Sequence, residues 1–186
     1  MASLCRARGP HHFLQEACAA GTNAIGLGFR TIQHREADVM LVGGADAGIC
    51  PTLMGSLDNL GALTNSSWND APHKASRPFE KNRNGFVTSE GAGVLLLEEL
   101  EHAKARGAKI YAEVIGYGTN SDGAHVTQPA AETMAVAMQL ALDDAGLPAS
   151  EIGYVSGHGT ATDKGDVAES QATEIVLGNK MPISTL

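Results

Sequence analysis

At 186 residues, 43% of them hydrophobic and 18% charged, the chain has enough apolar material for an ordinary globular domain with its own core, which excludes a disordered one. A net charge of −8 without any basic cluster argues against nucleic acid as a partner. Cys5, Cys18 and Cys50 are widely spaced and form no CxxC pair, which disfavours a disulfide framework or zinc ribbon and suits a reducing compartment.

The opening residues, Met1 to Arg8, are basic but lack an apolar stretch of signal-peptide length behind them. No run approaches a membrane span, so a soluble, cytoplasmic protein is expected. Residues 11–17 read as a short strand in which Phe13 and Leu14 are buried. A helix is predicted from about 18 to 34, where Ala19, Ala20, Ala24, Ile25, Leu27 and Phe29 make an apolar segment buried on most sides. Cys18 falls at its first turn. Unpaired backbone N–H groups and the positive end of the helix dipole favour a thiolate at such a place. Two readings stand for it, a sulfur nucleophile and a small buried hydrophobe.

Asp38 to Val42 reads as a buried strand running into Gly43-Gly44, where the chain can turn sharply. Pro51 opens a helical stretch to about Leu63. Residues 64–85 are polar and irregular, a long surface loop of the kind that usually carries function. Residues 91–98 form another buried strand, and Glu99 to Arg106 a solvent-facing helix closed by Gly107. Ile110 to Gly116 alternates as a strand does, and a second loop follows from Gly118 to Pro129. A longer helix spans Ala131 to Ala145, with Met134, Met138, Leu140, Ala141 and Leu142 on its apolar side and Gly146 at its end. Ile152 to Val155 is a strand leading into Gly157-His158-Gly159-Thr160, Asp166 to Leu177 a last helix, and 181–186 the beginning of one more strand. This alternation predicts an α/β fold with largely parallel sheets. No Gly-x-Gly-x-x-Gly opens a helix, so there is no dinucleotide fingerprint. The order of strand, reactive residue and helix occurs at both Cys18 and His158, as two half-domains with equivalent loops would show.

His158, between two glycines at a strand end, exposes its ring above the sheet, where it could exchange a proton or polarise a carbonyl; a single structural hydrogen bond is the plainer alternative. Thr160 and Thr162 alternate along an extended stretch, so both hydroxyls point one way and could bond the amides of an extended substrate arm. Alternatively, Thr162 or Asp163 caps the next helix. His11, His12, His34, His73, His102 and His125 show no metal-ligand spacing, and most read as surface residues; His125, in Ser121 to Thr127, is the exception to that surface reading.

These motifs together resemble the β-ketoacyl-acyl carrier protein synthases, most closely the elongating type II enzymes and polyketide ketosynthases. The matching stretches are Glu16 to Gly21, Gly43-Gly44-Ala45, Ala75 to Lys81, Asn84 to Val87, Ser89 to Gly93, Glu98 to Ala108 and His158 to Thr162, in the family's order and spacing from about Arg8 onward. The resemblance implies a thiolase-like layered αβαβα fold, here incomplete at both ends. Residues 1–107 would be the latter part of its N-terminal half and 108–186 the first part of its C-terminal half.

The chemistry it implies is decarboxylative Claisen condensation of an acyl thioester with malonyl-acyl carrier protein, in fatty acid or polyketide synthesis. On the resemblance, Cys18 is the acyl-accepting nucleophile, and its backbone N–H is half of an oxyanion hole. His158 is the first of two active-site histidines. Thr127, Thr160 and Thr162 contact the pantetheine arm. Glu169 is a supporting glutamate left without the lysine that the family pairs with it. No metal or redox cofactor is implied, because phosphopantetheine arrives on the carrier protein. The implied partners are acyl carrier protein and a second subunit, in a homodimer or a ketosynthase heterodimer, with no nucleic acid and no membrane. The family's catalytic lysine and second histidine do not occur in the sequence, so a truncated fragment, feeble or inactive, is expected. Two other functions compete. A non-catalytic partner subunit like the chain-length factors would lack the nucleophile, so Cys18 counts against it. A Cys/His acyl-thioester hydrolase would use Cys18 and His158 with water.

Overall fold

A computed structural model describes residues 2–123 and 128–185. The helices are α1 (Ala2–Cys5), α2 (Ala20–Gln33), α3 (Pro51–Asn59), α4 (Leu100–Ala105), α5 (Ala131–Ala145) and α6 (Asp163–Leu177). The strands are β1 (Val39–Asp46), β2 (Gly91–Glu98), β3 (Val155–Ser156) and β4 (Ile183–Ser184). No described helix is long and apolar enough to cross a membrane. The chain forms two compact units, one of Met1–Ala47 with Glu90–Val114, the other of Gly48–Ser89 with Ile115–Leu186. The division at 107 is one of sequence halves; the units are a division of packing.

In the first unit, β1 and β2 pair antiparallel over all eight residues of each, from Val39 opposite Glu98 to Asp46 opposite Gly91. The sheet expected here was largely parallel, and this pair is not. Helix α2 lies on one face. Its point of closest approach is Gly28, where a Cβ would overlap Val42 Cγ1, so only glycine lets the helix settle there. Gly26, Gly28 and Thr31 are the buried positions of α2, and the Thr31 hydroxyl donates to the Leu27 carbonyl at 2.9 Å. Gly26 and Gly28 lie on nearly opposite sides of the helix and most of its other positions are half-buried, so α2 is at least partly covered on most sides, although only these three positions are fully buried. The strands are not buried as predicted: Val42 is 6% exposed, but Leu41 is 41%, Val94 51% and Leu96 53%. Two strands with a single helix against them can cover only one sheet face. Gly43 and Gly44 do not turn the chain, for β1 runs straight through them. Gly43 serves close approach instead, since a Cβ there would strike the Gly93 backbone.

In the second unit, α5 packs on α6; Ala131, Ala135 and Leu142 are buried on one helix and Asp166, Ala168, Ala172 and Thr173 on the other, most of them small. Gly146, at φ 64°, ends α5 in the left-handed conformation, as its glycine predicts. Residues 116–118 run across α5 so closely that a Cβ on Gly116 would stand 2.5 Å from the Ala141 carbonyl. β3 and β4 are parallel, Val155 opposite Ile183 and Ser156 opposite Ser184. The predicted loop at 64–85 contains two 3-10 turns, Ser66–Trp68 and Pro72–Lys74, and the Arg77 guanidinium stacks 3.8 Å over the Trp68 ring.

Two predicted strands are not strands. Residues 11–16 and 108–123 take no regular secondary structure, and Phe13 and Tyr111 are 83% and 86% exposed. Alternation describes where side chains would point, but a strand also needs a neighbour to complete its hydrogen-bond ladder.

Candidate active site

In the first unit, Cys18 lies on a single 3-10 turn, Ala17–Ala19, that leads into α2. The turn is sharp because Ala17, although not glycine, has φ 50°. A left-handed alanine costs about 1–2 kcal/mol and persists only where its surroundings impose it. The Ala19 N–H donates to the Glu16 carbonyl at 3.2 Å, and the Asn23 amide donates to the Glu16 carboxylate, which ties the approach to the helix. The Cys18 side chain is exposed, so the small-buried-hydrophobe reading does not describe it. It is displayed on a tight, strained turn, the geometry by which folds project a nucleophile. No strand precedes it, so the parallel drawn with His158 holds only for the helix that follows.

In the second unit, His158 follows β3 and is exposed. Its backbone N–H donates to Glu169 Oε1 at 2.5 Å, and the Gly159 N–H donates to Glu169 Oε2 at 2.8 Å. One half-buried carboxylate on α6 thus holds both amides of the loop. Glu169, expected to lack its lysine, has both carboxylate oxygens satisfied by two backbone N–H groups. The flanking glycines have a steric reason. A Cβ on Gly157 or Gly159 would come within 3.1 Å of the Phe79 ring, which lies against the loop.

Thr160 and Thr162 are brought together, with their Oγ1 atoms 2.8 Å apart. The stretch is not extended, however, because the buried Ala161 between them has φ 59°. Thr162 occupies the N-cap position of α6, yet its side chain makes no capping bond. Thr127 and His125 lie outside the described residues. Among the described residues, no three His, Cys, Asp or Glu side chains converge as a metal site requires.

Sequence reasoning missed the groups that build this loop. Asp166, 2% exposed, accepts the Phe79 N–H at Oδ2 (2.6 Å) and the Ala161 N–H at Oδ1 (3.0 Å). Arg83 Nε is 3.2 Å from Asp166 Oδ2, and the same side chain donates to the carbonyls of Glu80, Thr162 and Asp163. The signal available was the spacing of Asp166 and Glu169, three apart on one helix face and both just past a reactive loop. An open cleft of about 400 Å³ lies between the start of α5, at Pro129 to Glu132, and Lys164, Val167 and Gln171 of α6; neither His158 nor the threonine pair lines it.

Known proteins resemble this chain in sequence and fold. The family descriptions for the beta-ketoacyl synthase N-terminal and C-terminal domains match residues 1–103 and 111–185. The 3-oxoacyl-[acyl-carrier-protein] synthase 2 of Vibrio cholerae is 47% identical over 173 residues, which are 92% of this chain and 41% of that protein. A beta-ketoacyl synthase structure from Burkholderia phymatum is 54% identical, with a TM-score of 0.87 over 91% of this chain and 41% of its own. A type II polyketide acyl-carrier protein in complex with its ketosynthase, bound to the hexaketide, supplies a chain 39% identical, with a TM-score of 0.95 over 100% of this chain and 46% of that one. The chain spans about two-fifths of the length of the curated relatives it matches.

Proposed function

The chain belongs to the beta-ketoacyl synthase family and has the thiolase-like α/β fold of the ketosynthases, and from that premise we propose that it carries acyl-transfer machinery for decarboxylative Claisen condensation. In this reading the Cys18 thiolate attacks the carbonyl carbon of an acyl thioester borne on a carrier protein. A new C–S bond forms, the old one breaks, and the phosphopantetheine thiolate leaves and takes up a proton. A malonyl thioester then loses carbon dioxide, and its enolate carbon attacks the acyl-Cys18 carbonyl, which releases the thiolate again. His158 donates to the enolate oxygen, where negative charge develops. Thr160, Thr162 and Thr127 hold the pantetheine arm, and Glu169 secures the His158 loop. No metal or redox cofactor takes part. The partners are acyl carrier protein and a second ketosynthase subunit, identical or related, in the cytoplasm.

The observation that carries the reading is the exposed Cys18 on its strained turn at the head of α2. Its test is the first half-reaction alone. Incubated with an acyl-pantetheine thioester, the chain should gain the mass of one acyl group, and Cys18→Ala should gain none. An adduct of equal yield on Cys18→Ala would overturn the assignment.

A further inference from the structure

We infer that Arg83 is a positioning residue for the Thr160–Thr162 hydroxyl pair, an inference that rests on the reading of that pair as the holder of the pantetheine arm. The Ala161 peptide between the two threonines is gripped on both sides from residues 79–85. Its N–H is bound through Asp166, whose other oxygen takes the Phe79 N–H, and its carbonyl accepts the Gly85 N–H at 2.9 Å. Arg83 completes the grip. Its side chain is 11% exposed, and Nε donates to the Thr162 carbonyl at 3.2 Å while Nη2 donates to the Asp163 carbonyl at 2.7 Å. Nη1 turns back to the Glu80 carbonyl at 3.1 Å, so the guanidinium bridges the two segments.

The consequence concerns the hydroxyls. In an extended chain, side chains two residues apart share a side but stand about two strand rises from each other, too far for their oxygens to meet. The left-handed kink at Ala161 closes that gap to 2.8 Å. An alanine holds such a kink only where its neighbours over-determine it. The buried Asp166 and the largely enclosed Arg83 do so here. Gly165 provides the floor, since a Cβ there would press on the hydroxyls of both threonines. A lysine cannot replace the fork, because one ammonium lacks the planar spread of donors.

The test uses the 186-residue chain with Arg83→Gln, and with Arg83→Lys should the first fail to fold. Three-bond couplings to the Thr160 and Thr162 methyl groups report χ1 directly. Single-rotamer values are expected in the parent and averaged values in the variant; unchanged couplings would overturn the inference. The second arm compares two acyl donors, an acyl-pantetheine and the same acyl group on thiophenol, which has no amides to hold. Arg83→Gln should lower kcat/KM for the pantetheine donor by up to about a hundredfold, mainly through KM, and leave the thiophenyl donor nearly unchanged. Equal loss on both donors means a merely structural role and sinks the inference. Should the parent accept neither donor, the proposed function fails, while the couplings still decide the role of Arg83.

Discussion

Around Cys18 an exposed amide–carboxylate contact and backbone bonds tie down the chain, whereas around His158 two carboxylates, one of them buried, a near-buried guanidinium and an aromatic ring do so. Both regions display a reactive side chain to solvent. The first does so by bending a short turn into a strained conformation at Ala17. The second does so by fastening a loop from outside with residues distant in sequence. A site can be displayed by local strain or by remote support, and the two are broken by different substitutions.

Removing the remote support should do the most damage. Asp166→Ala removes the buried counter-charge of Arg83, leaving only the exposed Asp163 carboxylate 3.6 Å away, and leaves the Phe79 and Ala161 amides without their acceptor. A loss of about 3–5 kcal/mol is expected in a urea titration, as for other broken buried pairs. Glu169→Ala should cost less, about 1.5–3 kcal/mol, and should speed hydrogen exchange at the His158 and Gly159 amides. If neither substitution exceeds the effect of a surface change, the contrast between the two regions is lost.

The first unit is sensitive elsewhere. Gly28→Ala forces a methyl into Val42, and overpacking of this kind costs about 1–3 kcal/mol, visible as a lowered thermal midpoint. Ala17→Gly is the sharper probe of local strain. Relief of the left-handed alanine offsets the entropy gained by the unfolded chain, so stability should change by less than about 1 kcal/mol. A large loss there would show that Ala17 is not strained.

The smallest effect is set by pH. Glu98 accepts two bonds from Arg106 and one from His102, and chiefly the Arg106 bonds bring its pKa from 4.5 down to about 2. Because the folded value lies below the unfolded one, the stabilisation is complete above about pH 4.5 and is lost as pH falls toward 2. The advantage of the parent over Glu98→Gln, followed by chemical denaturation, should therefore shrink across that window and stay constant above it.

Much of the local structure was legible in the residues. Ala131 to Gly146 was predicted to the residue, because a helical period ending in glycine leaves little freedom. The limits of β2 and the glycine stop after α4 followed in the same way. Residues 11–17, read from the apolar pair Phe13-Leu14, and 110–116, read from alternation, were misread for a common reason: both signals are local, whereas strand pairing is not. Cys18 and His158 could be singled out from their small neighbours and their places before helices. Arg83, Phe79 and Asp166 could not, because each acts through a partner up to 87 residues away.

The order of residues alone determined which segments can be helices, where glycines stop them, and to which family the motifs point, since propensity, capping and motif spacing are properties of neighbouring residues. Tertiary structure decided the rest: that β1 and β2 run antiparallel, that Glu169 and Asp166 bind loop amides, and that two threonine hydroxyls meet across a kinked alanine. Those outcomes depend on which buried donors find which acceptors, and a chain settles that only once distant segments have been brought into contact.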